Sequence, residues 1–468
     1  MPTMPTIPTF PTSLSSLSED TICAPATAPG GALSIIRISG PQSLSIVSSV
    51  CRCVTAATPA NTVHYGRIFN GSEVIDEVIV TIFRSPHSYT GEDSAEISCH
   101  GSRYIIQQIL DLLVQKGCRM ANPGEFTQRA YLNGKLDLSQ AEAVADLIAS
   151  NNKATHDIAL SQLRGHFSSD LSRLRDQLLK LTSLLELELD FSDHEDLEFA
   201  DRTELLQLAQ QIESHIAHLA KSFETGQALK QGIPVAIVGK TNVGKSTLLN
   251  RLLGDDRAIV SDVHGTTRDT IEDTIDIQGV TFRFIDTAGI RQTTDKIEQI
   301  GITRTYQAIS KARIVLWLLD APPTAAEQQD MQTCCEGKKL IIVITKSDKG
   351  ISVAGDSSFS IPHFSHIEIS AKTGQGIESL ERSIYEAADL PVISASDVIV
   401  TNARHYDVLQ RAHVSILRVL DGLTANLSGD LLSEDLRQSL DILSEITGGQ
   451  ITPQETLNNI FKHFCVGK

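Results

Sequence analysis

Residues 239–247, GKTNVGKST, hold the densest chemistry in the chain. They fit G-x-x-x-x-G-K-[ST] from Gly239 to Ser246, after the apolar run IPVAIV and before TLLNRLLG, the strand-loop-helix setting that the pattern needs. In such a loop the amides around Asn242, Val243 and Gly244 face phosphate at a helix N-terminus. Lys245 brings a positive charge to the β and γ oxygens, Ser246 can ligate Mg²⁺, and Thr247 follows it on the phosphates. Three further motifs come in the order a guanine-nucleotide switch requires. GTTRD (265–269) offers Thr267 to Mg²⁺ and the γ-phosphate, with Thr266 beside it. DTAG (286–289), after the apolar VTFRFI, places Asp286 behind the metal and Gly289 at the γ-phosphate, with Thr287 and Ala288 in the turn. TKSD (345–348) and SAK (370–372) each close an apolar strand and are expected to hold the base through Thr345, Lys346, Asp348, Ser370, Ala371 and Lys372. Asp348 can accept from N1 and the 2-amino group of guanine, donors that adenine lacks, so GTP is the expected nucleotide.

Two positions depart from the usual pattern. The base motif commonly begins with Asn, and Thr345 lacks the amide that touches the guanine edge and braces the loop, so weaker nucleotide binding is expected. The residue after DTAG is Ile290 rather than a Gln able to orient water, so the attacking water must be positioned from elsewhere.

The surrounding elements sort into three kinds. Between Asp20 and Cys118 the β-branched runs LSIIRIS (33–39), EVIDEVIVTIF (73–83) and SAEISC (94–99) alternate with breaks, and YIIQQILDLLVQKG (104–117) reads as a helix. After LNGKLDLSQAEAV (132–144) the pattern is helical as far as about Lys230, with Leu171, Leu174, Leu178, Leu181 and Leu185 on one face and an acidic connector, DHED, at 193–196. Strand and helix then alternate from Val235 to about Leu390, and helix resumes from Ser394. The predicted fold class is multidomain: an α+β N-terminal domain (19–135), an α-helical bundle in two parts (136–229 and 392–468), and an inserted α/β P-loop GTPase domain of Ras-like type (230–391). Residues 1–18, with the triplets MPT MPT IPT FPT, read as an extended disordered tail and not as a signal or transit peptide.

A chain of 468 residues exceeds what one core usually organises. Its formal charge of −17 opposes a broad electrostatic footprint on nucleic acid, so any RNA contact must be local or shared with a partner. No run of about 18 uncharged apolar residues is present, so no transmembrane helix and no membrane partner are expected. The eight cysteines show neither a CxxC pair nor zinc spacing, which fits packing residues and a reducing, cytoplasmic location.

From Asp20 onward the chain resembles the bacterial and organellar MnmE (TrmE) family of tRNA-modification GTPases. The resemblance is carried by DTICAPATAPG (20–30) with RISG (37–40), YTGEDSAEISCHG (89–101), NPGEFTQRAYLNGKLDLSQAEAVADLI (122–148), the nucleotide motifs, and FCVGK (464–468). It implies a K⁺-activated GTPase, in which Asn242 with Ser261, Val263 and Thr266 supplies oxygens to K⁺. A positive charge there would stand where an arginine finger otherwise does, beside the β and γ phosphates. It also implies that Glu298 orients the attacking water, and that Arg268, Asp269 and Arg291 serve switch movement and the pairing of two G domains.

The same resemblance implies an N-terminal domain that dimerises and binds 5-formyl-tetrahydrofolate or a related one-carbon folate through Arg37, Glu96, Lys135 and Lys468. A carboxylate suits a pterin edge and basic groups suit the glutamate tail. Cys465, in the C-x-G-K signature, is either a nucleophile or an anchor for the tail. The implied activity is GTP hydrolysis driving aminomethyl or carboxymethylaminomethyl addition at C5 of wobble uridine 34 of certain tRNAs. The resemblance also implies a homodimer acting with an FAD-containing MnmG (GidA) partner, which would supply the flavin, since this chain has no GxGxxG opening a helix after a strand. Two other readings of the motifs are a ribosome-assembly GTPase, which would be expected to carry a Lys- and Arg-rich module, and a GTP-binding scaffold with little turnover.

Overall fold

The computed structural model describes residues 20–28, 30–190, 202–254, 273–285, 298–349, 366–391, 397–449, 454–462 and 464–467. The chain divides into two compact units, one of Met1–Ala149, Ala159–Ala217 and Asp407–Lys468, the other of Ser150–Ile158 and His218–Tyr406.

In the first unit the strands β1 (Thr21–Pro25), β2 (Leu33–Ser39), β3 (Thr62–Asn70), β4 (Glu73–Phe83), β5 (Ser94–His100) and β6 (Cys118–Met120) form one sheet in the order β3-β4-β5-β2-β1-β6. β1 and β6 pair in parallel and the other neighbours are antiparallel. One face is covered by α1 (Ser43–Val50) and α2 (Arg103–Gln115), because strand side chains alternate. Val78, Val80 and Ile82 of β4 are buried while Ile79 between them is exposed. Cys23, Cys51, Cys99 and Cys118 lie in this core, as packing residues would. The register sets Arg37 of β2 directly opposite Glu96 of β5, on the face away from α1 and α2.

The helices α3 (Glu125–Leu132) and α4 (Leu138–Ala149) lead through α5 (Lys153–Leu163) into α6 (His166–Asp190). Along α6 the leucine stripe 171, 174, 178, 181 and 185 is buried, and the helix packs on the helix Gly429–Thr447. α7 (Arg202–Gln231) contributes Leu205, Ala209, Ile212 and Ile216 to burial in this unit. The last helix, Gln454–Phe461, returns the chain to α3 and α4, where Leu457 and Phe461 join Leu138 and Ala141.

The second unit is built on a six-stranded sheet ordered β12-β11-β10-β7-β9-β8, from β7 (Ile233–Gly239), β8 (Asp273–Ile277), β9 (Val280–Phe284), β10 (Ile314–Leu319), β11 (Lys339–Ile344) and β12 (His366–Glu368). Only β8 pairs antiparallel. Helices cover both faces, so β10 reads IVLWLL and is buried at every residue. α8 (Lys245–Leu253) follows β7 through the glycine-rich loop. The predicted fold class is therefore present in all its parts. Among the described residues no helix is long and apolar enough to cross a membrane.

Candidate nucleotide site and a second polar site

β7 is a central strand, and its C-terminal end delivers Gly239, where an added Cβ would come within 2.6 Å of the Leu318 carbonyl of β10. The loop turns by left-handed backbone at Asn242 (φ 62) and Gly244 (φ 109), then enters α8 at Lys245. Asn tolerates this region because its short polar side chain bonds locally, and Gly does because it lacks Cβ. Lys245 Nζ is held by the Gly239 and Lys240 carbonyls at 2.6 and 2.7 Å. Burial holds its ammonium below the usual lysine range. Ser246 is half-buried in the first turn of α8, and Asn242 and Thr247 are exposed.

The base motif is attached to this loop. Thr345, buried at the end of β11, donates its hydroxyl to the Val243 carbonyl at 2.8 Å. The brace expected to be lost with the missing amide is thus made by the threonine hydroxyl instead. Lys346, at φ 63, pairs with Asp320 at 2.6 Å. Asp348 Oδ1 accepts from the Ser370 hydroxyl at 2.8 Å, which joins the TKSD and SAK segments, with Ala371 half-buried and Lys372 exposed beside them. Ser261, Val263, Thr266, Thr267, Arg268, Asp269, Asp286, Thr287, Ala288, Gly289, Ile290, Arg291 and Lys468 lie outside the described residues, as do the acidic connector and the N-terminal tail. Glu298 opens a helix, Glu298–Lys311.

In the first unit Arg37 and Glu96 are not independent groups. Arg37 donates Nε and one terminal nitrogen to Glu96 Oε1 at 2.9 and 2.8 Å, and the other terminal nitrogen to the Gly467 carbonyl at 3.2 Å. The guanidinium also faces the rings of Tyr89 and Phe126, at 5.2 and 5.7 Å. The C-terminal segment is seated here: Gly467 is buried against Pro25 and Ala26, and the Cys465 carbonyl faces the Gly124 amide at 3.4 Å while the residue itself is exposed. Lys135 is exposed and donates to the Pro86 carbonyl at 2.9 Å, on the loop that carries Tyr89.

Sequence reasoning singled out neither Tyr89 nor Phe126, although both stand inside the quoted motifs YTGEDSAEISCHG and NPGEFTQRA. It also missed the ion cluster behind them. Arg129, 2% exposed, bonds to Asp20, to Glu92 at 3.2 Å and to Glu125 at 3.1 Å, and Arg119 bonds to Asp20 and Glu125. Burial raises the Asp20 carboxyl, but Arg119 and Arg129 outweigh it and hold that group below its ordinary value. Among the described residues no group of three or more His, Cys, Asp or Glu is placed to hold a metal.

A glycine-rich loop between a parallel strand and a helix, tied to a guanine-reading motif, defines an α/β GTP-binding protein. The family model described as "MnmE helical domain" matches residues 138–465, and that described as "GTP-binding protein TrmE N-terminus" matches residues 21–135. The tRNA modification GTPase MnmE of Bacteroides thetaiotaomicron is 53% identical over 466 residues, covering 96% of this chain and 100% of that one. The same-named proteins of Bacteroides fragilis and Flavobacterium johnsoniae are 54% and 48% identical, each over 96% of this chain and 100% of their own length. The chain belongs to the MnmE family of tRNA modification GTPases.

Proposed function

We propose that this protein hydrolyses GTP to GDP and phosphate and uses the reaction to drive tRNA wobble-uridine modification. The reading rests on the phosphate loop and guanine motif joined through Thr345 and Val243, in a chain whose relatives are tRNA modification GTPases along their whole length. Lys245 exchanges the Gly239 and Lys240 carbonyls for the β and γ oxygens, and Asp348, oriented by Ser370, reads guanine. Ser246, in the first helical turn, fits an Mg²⁺ ligand, with Thr267 as its counterpart. Asn242 is exposed on left-handed backbone and its amide fits a hard cation such as K⁺, which it would share with Ser261, Val263 and Thr266 by their family positions. When bound, such an ion would supply positive charge to offset the negative charge developing on the phosphates. Glu298 orients the attacking water.

The second site fits a one-carbon folate. Arg37, its partner Glu96, the Tyr89 ring and the docked Gly467 form a polar, aromatic-edged surface, and Lys135 and Lys468 are the basic groups assigned to the glutamate tail. In this reading residues 19–135 bind the folate and dimerise, 136–229 with 392–468 form the helical domain, and 230–391 are the G domain. Two copies act with an FAD-containing MnmG-type partner to add an aminomethyl or carboxymethylaminomethyl group at C5 of uridine 34. Deleting the gene and analysing tRNA nucleosides by mass spectrometry tests this. Loss of the modified wobble uridine, restored by the wild-type gene but not by Lys245→Ala, is expected; an unchanged nucleoside profile overturns the assignment.

A further inference from the structure

Val243 sits between two residues with positive φ, Asn242 at 62° and Gly244 at 109°. Backbone in that region persists when its surroundings over-determine it. Two features do so. The Val243 side chain is 1% exposed, and its carbonyl accepts from the Thr345 hydroxyl at 2.8 Å, 102 positions along the chain. The hydroxyl carries one proton. The other nearby acceptor, the Leu319 carbonyl, is 3.3 Å from it and already accepts the Thr345 amide at 2.8 Å. The Val243 carbonyl is therefore the better-placed acceptor for that proton, and at 3% exposure Thr345 is shielded from water that could replace the bond.

We propose that Thr345 is a positioning residue for Asn242: its hydroxyl fixes the Val243 carbonyl and so the left-handed turn that aims the Asn242 amide at a monovalent cation. This rests on the reading of Asn242 as a K⁺ ligand and deepens it. One buried bond thereby links the base-reading end of β11 to the part of the phosphate loop that holds the ion. The position at which the base motif departs from its usual asparagine becomes the one that sets the ion seat.

The test uses the full-length protein with Thr345→Val, which keeps the side-chain shape and removes the hydroxyl, and Thr345→Ser, which keeps the hydroxyl. Two readouts are taken: release of a fluorescent GDP in sodium buffer, and the K⁺ concentration giving half-maximal GTP turnover. Thr345→Val is expected to release GDP about tenfold faster and to need several-fold more K⁺, whereas Thr345→Ser stays near wild type on both. A role confined to packing β11 would lower the melting temperature of Thr345→Val and leave both readouts unchanged, which overturns the proposal; so does Thr345→Ser behaving like Thr345→Val. If the wild type shows no preference for K⁺ over Na⁺, the cation reading falls and the ion half of the proposal falls with it. The release rates in sodium then report on the clamp alone.

Discussion

Lys245 sits where burial works against its own charge, and the Gly239 and Lys240 carbonyls hold the ammonium; in the proposed function phosphate oxygens replace them. Only the ammonium form attracts a triphosphate. In the nucleotide-free protein its proton leaves at a lower pH than from an ordinary lysine, so GTP affinity is full below that lowered value and falls as pH rises through it. Titrating GTP binding from pH 7 upward should show affinity declining before free lysine titrates; a flat profile would contradict the placement. Lys245→Ala removes charge-assisted contacts worth about 1.5–3 kcal/mol, so GTP should bind about ten- to a hundredfold more weakly. The guanine motif shows what residue types alone do not reveal. Thr345 in place of Asn reads as a lost brace, yet a hydroxyl at the end of β11 reaches the same loop, because β10 pairs in parallel with both β11 and β7 and brings their C-terminal ends to one end of the sheet.

At the scale of elements, periodicity carried most of the architecture. The alternation in residues 73–83 matches β4, and the leucines of α6 face inward as a stripe should. Contacts between distant segments had no such signal. Asp20, Glu92, Glu125 and Arg129 are scattered along the sequence, and only folding gathers them around one buried guanidinium that ties β1, α3 and the loop carrying Tyr89 together. Asn152, just before α5, is likewise invisible as a partner of Thr281, 129 positions away in β9. Replacing Arg129 with Met would leave Glu92 without that partner and Glu125 with Arg119 and the Asn122 amide. Removing one member of a buried ion cluster typically costs about 3–5 kcal/mol. Urea unfolding followed in the first unit should show a loss of that order, and a change below about 1 kcal/mol would mean the cluster is not structural.

For the whole molecule, the nucleotide half of the function was legible because phosphate loops demand fixed residue types at fixed spacing. The Arg37 site was legible only through its resemblance to a family. Its groups come from β2, β5, the Tyr89 loop, α3 and the C-terminus, and no local pattern announces that they meet. The acidic charge of −17 opposes a broad basic surface for tRNA, which is why the proposed function includes a partner. The account turns on hydrolysis assisted by a monovalent cation at Asn242. GTP turnover by the purified protein, measured in K⁺ and in Na⁺ at equal ionic strength, tests this most directly. Turnover at least about tenfold faster in K⁺, with the difference abolished in Asn242→Ala, is the predicted result, equivalent to about 1.4 kcal/mol of barrier. Equal rates in the two salts would contradict it.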